Sequence, residues 1–141
     1  MRKALTLAFL ALCACGGSSN NNLSSAFGKT WTGTTTVTIP GHNPSTSSGQ
    51  LTVTVSGNSA TVTNICPDGS GSVNATGSGN SATWSGTVTC TETANCGTLA
   101  LAYNSASFTL SSDNKTLTAD GSGTVSGCSQ SATFAVHFVG T

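Results

Sequence analysis

The sequence predicts an all-β protein, an antiparallel eight-stranded up-and-down meander barrel. Apolar residues alternate with serine and threonine along most of the chain, which is typical of strands with one dry and one wet face. Short clusters of glycine, asparagine, aspartate and proline separate the alternating runs, so consecutive strands are expected to pair as hairpins. Closure of such a sheet removes its exposed edges. A two-sheet β-sandwich with the same alternation is the alternative fold.

The first strand shows the alternation most clearly. Every second residue from Thr30 to Thr38 is threonine, and the residues between them begin with Trp31 and end with Val37 and Ile39. The same rhythm recurs in later runs, which begin at Leu51, Ala60, Val73, Ala82, Leu99, Leu117 and Phe134. We expect no helix longer than a single turn.

The amino terminus has the layout of an export signal. Arg2 and Lys3 precede an apolar segment, residues 4–14, that is too short to span a bilayer, for which roughly twenty residues are needed. The stretch Leu12-Cys13-Ala14-Cys15 resembles the lipobox of bacterial lipoproteins, with Cys15 at the processing position. The resemblance implies that residues 1–14 are a lipoprotein signal peptide and that Cys15 carries acyl chains such as palmitate. An ordinary signal peptide is the alternative.

The residues after Cys15 are small and polar, which favours a flexible linker. The predicted domains are therefore a signal peptide at 1–14, a lipid anchor and flexible tether at 15–28, and a β-barrel at 29–141. By resemblance to lipoprotein sorting, Gly16 next to the acylated cysteine favours the outer membrane of the cell envelope. The expected contact with the membrane is through the lipid anchor.

Residues 98–110 are the one place where the strand count is open. The apolar parity changes near Asn104, which indicates either a hairpin turn there or one long strand with a β-bulge. The bulge gives eight strands and the turn gives nine. With nine strands Cys128 would lie at the opposite end from the three preceding cysteines, out of disulfide reach. Eight strands are therefore predicted.

Cys66, Cys90, Cys96 and Cys128 are predicted to form two disulfides. Four cysteines in an exported chain are expected to pair, and the absence of C-x-x-C spacing argues against a metal site. In a meander the adjacent strand ends favour Cys96–Cys128, which leaves Cys66–Cys90 to join the third and fifth strands. A Cys90–Cys96 bridge across its own loop is the open alternative. Neither a metal nor any other cofactor is expected.

Charge argues against nucleic acid as a partner. After residue 14 the chain carries only two lysines and four acidic residues, so it offers no basic patch for a phosphate backbone. His42 and His137 stand apart, and no two carboxylates share a short motif of the kind that glycosidases use. No serine occupies a Gly-x-Ser-x-Gly elbow. We therefore assign no catalytic residue and expect no enzymatic activity.

The inward-facing residues are predicted to separate by size. Large rings are expected at the lower end, namely Trp31, Trp84, Phe108 and Phe138. Smaller side chains are expected above them, where the candidates for lining a ligand cup are Ile39, Leu51, Val62, Val88, Leu99 and Phe134. The interior is either such a cup or a filled core, since eight-stranded barrels are often full.

Gly28-Lys29-Thr30-Trp31, which opens the first strand, resembles the start of the calycins, the lipocalin-like barrels. The resemblance implies a barrel that carries small apolar ligands. The chain departs from the lipocalin pattern because it has Gly-x-x-Trp in place of Gly-x-Trp. It also has no arginine after residue 14 to lie over the tryptophan.

The leading functional hypothesis is a membrane-anchored envelope lipoprotein of non-enzymatic type that binds a small apolar ligand in its barrel. The rim of the cup is expected in the loops at 40–49, 66–71, 91–96 and 127–130. One alternative is a protein–protein role, in which the barrel inhibits or binds an envelope protein. Another is a structural coat lipoprotein.

Overall fold

The computed structural model describes residues 21–141. The predicted signal peptide, Cys15 and the first part of the tether lie outside these residues. Within the described part of the chain, no helix is both long enough and apolar enough to cross a membrane.

Eight antiparallel strands make up most of the fold. They are β1 (Thr30–Thr38), β2 (Ser45–Ser56), β3 (Ser59–Thr63), β4 (Ser72–Ser78), β5 (Ser81–Ala94), β6 (Gly97–Leu110), β7 (Leu117–Gly127) and β8 (Gln130–Gly140). Each strand pairs with the next, and β1 also pairs with β8, so the sheet closes into a barrel. The predicted all-β meander is therefore confirmed. We call the end at which β1 begins the lower end, and the end at which it finishes the upper end.

The stretch with the uncertain strand count is one continuous strand, β6. Its pairing with β7 shifts by one residue between Tyr103 and Ser105, so Asn104 is bulged, as predicted. A second irregularity lies opposite, in β5 between Ser85 and Val88. Both irregularities lie beside Asn104 of β6. β6 continues past this residue and does not turn.

Two of the predicted rim loops are shorter than expected. Residues 91–94, which were expected in the rim loop at 91–96, are the end of β5 and pair with β6. Residues 45–49 were expected in the loop after the first strand, but they form the first half of β2 and pair with β1 in register, as in Val37↔Ser45 and Gly33↔Gly49. This half of β2 carries serine, threonine and glycine instead of alternating apolar residues. The pairing partner in β1 thus fixes the strand where the local sequence pattern does not.

Residues 22–28 pack against the lower end of the barrel. The amide of Leu23 donates to the carbonyl oxygen of Gly57 (2.9 Å), and the amide of Ser24 donates to that of Gly79 (2.7 Å). The side-chain oxygen of Ser24 caps a single 3₁₀ turn at Ser25–Phe27, and Phe27 is buried beneath the barrel. The flexible tether predicted at 15–28 is therefore too long at its carboxyl end.

Trp31 is the centre of this lower end. Its side chain is fully buried, and its Nε1 donates a hydrogen bond to the carbonyl oxygen of Phe27 (3.0 Å). The Nζ atom of Lys29 lies 3.8 Å from the centroid of the Trp31 ring, an arrangement that favours the cation electrostatically. Lys29 thus lies over the tryptophan, a position for which the sequence provides no arginine.

Two disulfides brace the upper end. Cys66, in the loop after β3, is bonded to Cys90 of β5, and Cys96, between β5 and β6, is bonded to Cys128, between β7 and β8. This is the pairing that adjacent strand ends favoured over Cys90–Cys96. The loop between β1 and β2, residues 39–44, contains no cysteine, so one side of the rim is covalently braced and the other is not.

Candidate ligand-binding cup

The barrel interior is filled below and hollow above. Below, the buried core includes Leu23, Phe27, Trp31, Val62 and Leu117. Above this floor lies a cavity of about 760 Å³, which we call the cup. Its volume is within the range of about 300–1,000 Å³ that small-molecule sites occupy.

Most of the cup wall is apolar. Its aromatic members are Trp84, Tyr103, Phe108 and Phe138, and Leu51, Leu101 and Val136 add aliphatic surface. Phe108 and Phe138 are almost completely buried and join the core cluster below, whereas Trp84 is partly exposed. The two phenylalanines therefore belong to the floor and the cup at once. A ligand in the cup would meet the Trp84 ring directly.

The wall formed by β1 and β2 is polar. Thr35 pairs with Ser47, and Val37 pairs with Ser45, so three hydroxyl groups face the cup on this side. Gly49 lies next to them and leaves room for the Thr35 hydroxyl, which would lie 2.5 Å from an added Cβ. The cup is thus amphipathic, with hydroxyl groups on one wall and aromatic surface on the other.

The loop at residues 64–71 closes part of the mouth. Five of its residues line the cup: Asn64, Ile65, Cys66, Pro67 and Gly69. Its backbone is held in place because the amide of Asn64 donates to the carbonyl oxygen of Gly71 (3.1 Å), and that of Cys66 to the carbonyl oxygen of Ser70 (2.9 Å). The Cys66–Cys90 disulfide fixes the loop to β5.

Gly71 is required by this arrangement. Its φ is +79°, and an added Cβ would lie 2.7 Å from Cys66 Sγ. A glycine is therefore needed both for the backbone conformation and for the room that the disulfide takes up.

A second close contact orders the inner wall of β6, β7 and β8. Tyr103 and Phe134 pack edge to face with ring centroids 5.0 Å apart, and Gly123 lies between them on β7. A Cβ at Gly123 would lie 2.8 Å from the Phe134 ring. The glycine therefore allows the two rings to meet, and Tyr103 lines the cup beside them.

Glu92 is the acidic residue that faces the cup from β5. It lies two residues beyond Cys90 on the same strand face, directly across from Leu99 of β6. The pKa of the Tyr103 hydroxyl is raised, chiefly because the ring is buried and secondly because of the negative charge of Glu92. The carboxylate of Glu92 thus acts electrostatically on a residue of the cup wall.

A second carboxylate lies in the 64–71 loop. Asp68 is exposed and accepts hydrogen bonds from the Ser70 hydroxyl (2.6 Å) and the Ser70 amide (2.9 Å). These bonds lower the pKa of Asp68, the hydroxyl contributing most. The upper end of the barrel therefore carries two negative charges at neutral pH.

The six candidate lining residues are distributed differently from the prediction. Leu51 lines the cup, although it pairs with Trp31 and so lies close to the floor. Val62 is buried in the lower core, and Val88 packs against that core. The other three do not line the cup either. Phe134 is buried against Tyr103. Ile39, just beyond β1, and Leu99, near the tip of the β5–β6 hairpin, are half-buried. Of the six candidates, only Leu51 is therefore a lining residue.

The residues that sequence reasoning missed are mainly polar. Ser45 and Ser47 carry no apolar signal, and only their pairing with β1 places them on the inner wall. Glu92 did have a signal, because it shares the parity of Cys90. A count of parity that included polar residues would have placed Glu92 in the interior.

His137 and Asp120 form a pair whose side chains lie on the outer wall, although Asp120 also borders the cup. They face each other across β7 and β8, with His137 Nδ1 2.6 Å from Asp120 Oδ1, and both are exposed. His137 was expected to be isolated, so this pairing is a correction that follows from the β7–β8 register. Within residues 21–141, no three histidine, cysteine or acidic side chains cluster closely enough to hold a metal ion.

No protein family model matches the sequence, and no curated protein matches it either.

Proposed function

We propose that the protein is a lipid-anchored lipoprotein of the bacterial cell envelope, without enzymatic activity, whose barrel binds a small apolar ligand in the cup. The observation that carries the proposal is the cavity of about 760 Å³ above a packed floor. Its wall is mostly apolar with a few convergent polar groups, which is the usual composition of a small-molecule site.

The positions of the ionisable groups favour binding over catalysis. The His137–Asp120 pair lies on the outer wall, and Glu92 faces the cup without a histidine beside it on the inner wall. General acid–base chemistry needs such groups within hydrogen-bond reach of the reacting atoms.

The barrel's orientation suits a lipid anchor. Asn22 enters at the lower end, where its carbonyl oxygen accepts a hydrogen bond from the amide of Gly79. Six residues separate it from Cys15, and the seven residue steps between the two span at most about 25 Å when the chain is extended. An anchor at Cys15 would therefore hold the lower end near the membrane and direct the cup away from it.

Cys15→Ser tests the anchor. We expect the variant to leave the membrane fraction, because a serine cannot form the thioether that carries the lipid. Cys13→Ser is the matched control and is expected to remain with the membranes. Continued sedimentation of Cys15→Ser with the envelopes would contradict the assignment.

Ser47→Phe tests the cup. Ser47 faces the cavity, so a phenyl ring there is expected to fill part of the cup and weaken the binding of decan-1-ol at least tenfold, as measured by calorimetry on the purified full chain. Thr46→Phe places the same ring on the outer face, since Thr46 pairs with Thr36. This control should bind decan-1-ol like the wild type.

The length of the alcohol gives a second measure. Affinity is expected to rise about fourfold for each added methylene until the cup is full, because each methylene removed from water contributes about 0.8 kcal/mol. Affinities that do not depend on chain length, or equal binding by the two phenylalanine variants, would contradict a cup that binds apolar ligands.

Native mass spectrometry of the protein from its own host separates this function from a protein–protein role. A co-purifying lipid or other small apolar molecule supports the cup. A stoichiometric envelope protein with an empty cup would favour the interaction role instead.

A further inference from the structure

The two lysines and two of the four acidic residues of the described chain lie at opposite ends of the barrel. Glu92 and Asp68 lie at the upper end, at or beside the mouth of the cup. Both lysines of the described residues lie at the lower end, Lys29 over the Trp31 ring and Lys115 in the turn between β6 and β7. The mouth is therefore negative, and the lysines are at the far end of the barrel.

Glu92 is not neutralised by a neighbouring residue. Among residues 21–141, the structure gives it no ion-pair partner, and it is exposed at the mouth. Two residues toward the floor, Cys90 is buried and bonded to Cys66. The carboxylate thus lies where the apolar interior meets water, and the disulfide holds its strand in position.

The surface next to Glu92 suits a cation. Tyr103 lines the same cavity within reach of the charge of Glu92, and aromatic faces attract ammonium groups through their quadrupole. No lysine or arginine is among the residues that line the cup. A carboxylate head group at the mouth would meet the charge of Glu92, with hydroxyl and amide groups but no cationic side chain among the lining residues as partners.

We infer that the ligand of the cup is a cationic amphiphile, an apolar chain or ring system with an ammonium group, and that Glu92 binds this ammonium at the mouth. The inference rests on the proposed function, because it assigns the head group of a ligand whose apolar part occupies the cup.

Three ten-carbon probes that differ only in the head group test the inference: decyltrimethylammonium, decan-1-ol and decanoate. Their affinities are measured by calorimetry on the purified full chain at low ionic strength. The probes are kept below the concentrations at which they form micelles. The measurements are made at pH 8.

We expect the ammonium probe to bind on the order of tenfold more tightly than decanoate, with the alcohol between them. Glu92→Gln should abolish most of this difference between the ammonium probe and decanoate. Asp113→Asn is the matched control, because Asp113 lies in the turn at the opposite end of the barrel, and it should keep the wild-type preference. Added salt should reduce the preference in the wild type.

The failure of the inference differs from the failure of the proposed function. If decanoate binds as tightly as the ammonium probe, or if Glu92→Gln keeps the wild-type preference, the inferred head group is wrong while the cup remains. If none of the three probes binds, both the cup and its head-group preference are overturned.

Discussion

The two ends of this barrel are built from the same alternating strands and yet differ in what their inner faces contain. At the lower end the inward positions carry large or well-packed apolar residues, and the 3₁₀ turn with Phe27 seals them from below. At the upper end the inward positions of β1 and β2 carry Thr35, Ser45 and Ser47, which are too small to meet the opposite wall. The alternation of apolar and polar residues thus determines that the strands form a barrel. The volume of the inward-facing side chains determines where the barrel is hollow.

The two tryptophans allow the largest test of this contrast. Trp31→Ala should lower the free energy of unfolding by about 3–5 kcal/mol, since it removes a fully buried ring from the core. Trp84→Ala should cost less, because the Trp84 ring is partly exposed and lines the cup. Denaturant unfolding followed by far-UV circular dichroism measures both. Equal losses would show that the upper half is packed like the lower half.

The two disulfides separate stability from binding. Removal of either pair, as Cys66→Ala with Cys90→Ala or as Cys96→Ala with Cys128→Ala, should cost about 2–4 kcal/mol, because the sequence separations of 24 and 32 residues are similar. Only the first pair holds the 64–71 loop over the cup.

The first double variant should therefore lose affinity for decan-1-ol, and its 64–71 loop should become sensitive to proteolysis. The second should keep both properties near those of the wild type. The 64–71 loop would be shown to have no part in binding if the first double variant bound decan-1-ol as tightly as the wild type.

Gly123 tests the packing of the inner wall. Gly123→Ala should lower the free energy of unfolding by about 1–3 kcal/mol, because the new methyl group collides with the Phe134 ring and with the backbone of β6. Ser122→Ala, one residue earlier and on the outer face, is the control and should change stability by less than about 0.5 kcal/mol. Thermal or denaturant unfolding decides between them.

The smallest effect is spectroscopic. Tyr103 is the single tyrosine of the chain, so the ultraviolet absorbance of tyrosinate reports this residue alone. Its midpoint should lie above the ordinary tyrosine pKa, chiefly because of burial. Glu92→Gln should lower the midpoint slightly and leave it above the ordinary value. A midpoint at the ordinary value would show that Tyr103 is open to water.

The same shift has a consequence for stability. The unfolded chain binds the tyrosine proton less tightly than the folded one, so the stabilisation is complete below the ordinary tyrosine pKa. It is lost as the pH rises from there through the raised value of the folded state. In Tyr103→Phe, the free energy of unfolding should no longer show the decrease at alkaline pH that comes from ionisation of this tyrosine. Denaturant unfolding over a range of alkaline pH values measures the difference.

The sequence predicted the strands wherever valine, leucine or phenylalanine alternates with threonine. The change of parity near Asn104 indicated either a turn or a bulge, and the positions of the cysteines favoured the bulge. The order of strand ends favoured the observed disulfides. The prediction failed where the strand has no apolar residues, as in residues 45–49, which are held in the sheet by their hydrogen bonds to β1.

That one boundary accounts for part of the error in the cup. With half of β2 assigned to a loop, Leu51 appeared high in the barrel, although its partner is Trp31 of the floor. The stagger between strands adds to this, since Phe138 of β8 lies level with Thr35 of β1. A residue's distance along its strand from the nearest turn therefore does not show which residues of other strands lie at the same height in the barrel. Leu23 and Phe27 were missed because two apolar residues in a polar segment give no periodic signal.

The most direct test of an accessible cup above a solid floor is tryptophan quenching by 10-bromodecan-1-ol, whose bromine quenches indole fluorescence on contact. Trp31→Phe leaves Trp84 as the only reporter, and Trp84→Phe leaves Trp31. We predict saturable quenching of Trp84 and little quenching of Trp31. Equal quenching of both tryptophans, or quenching of neither, would contradict the account.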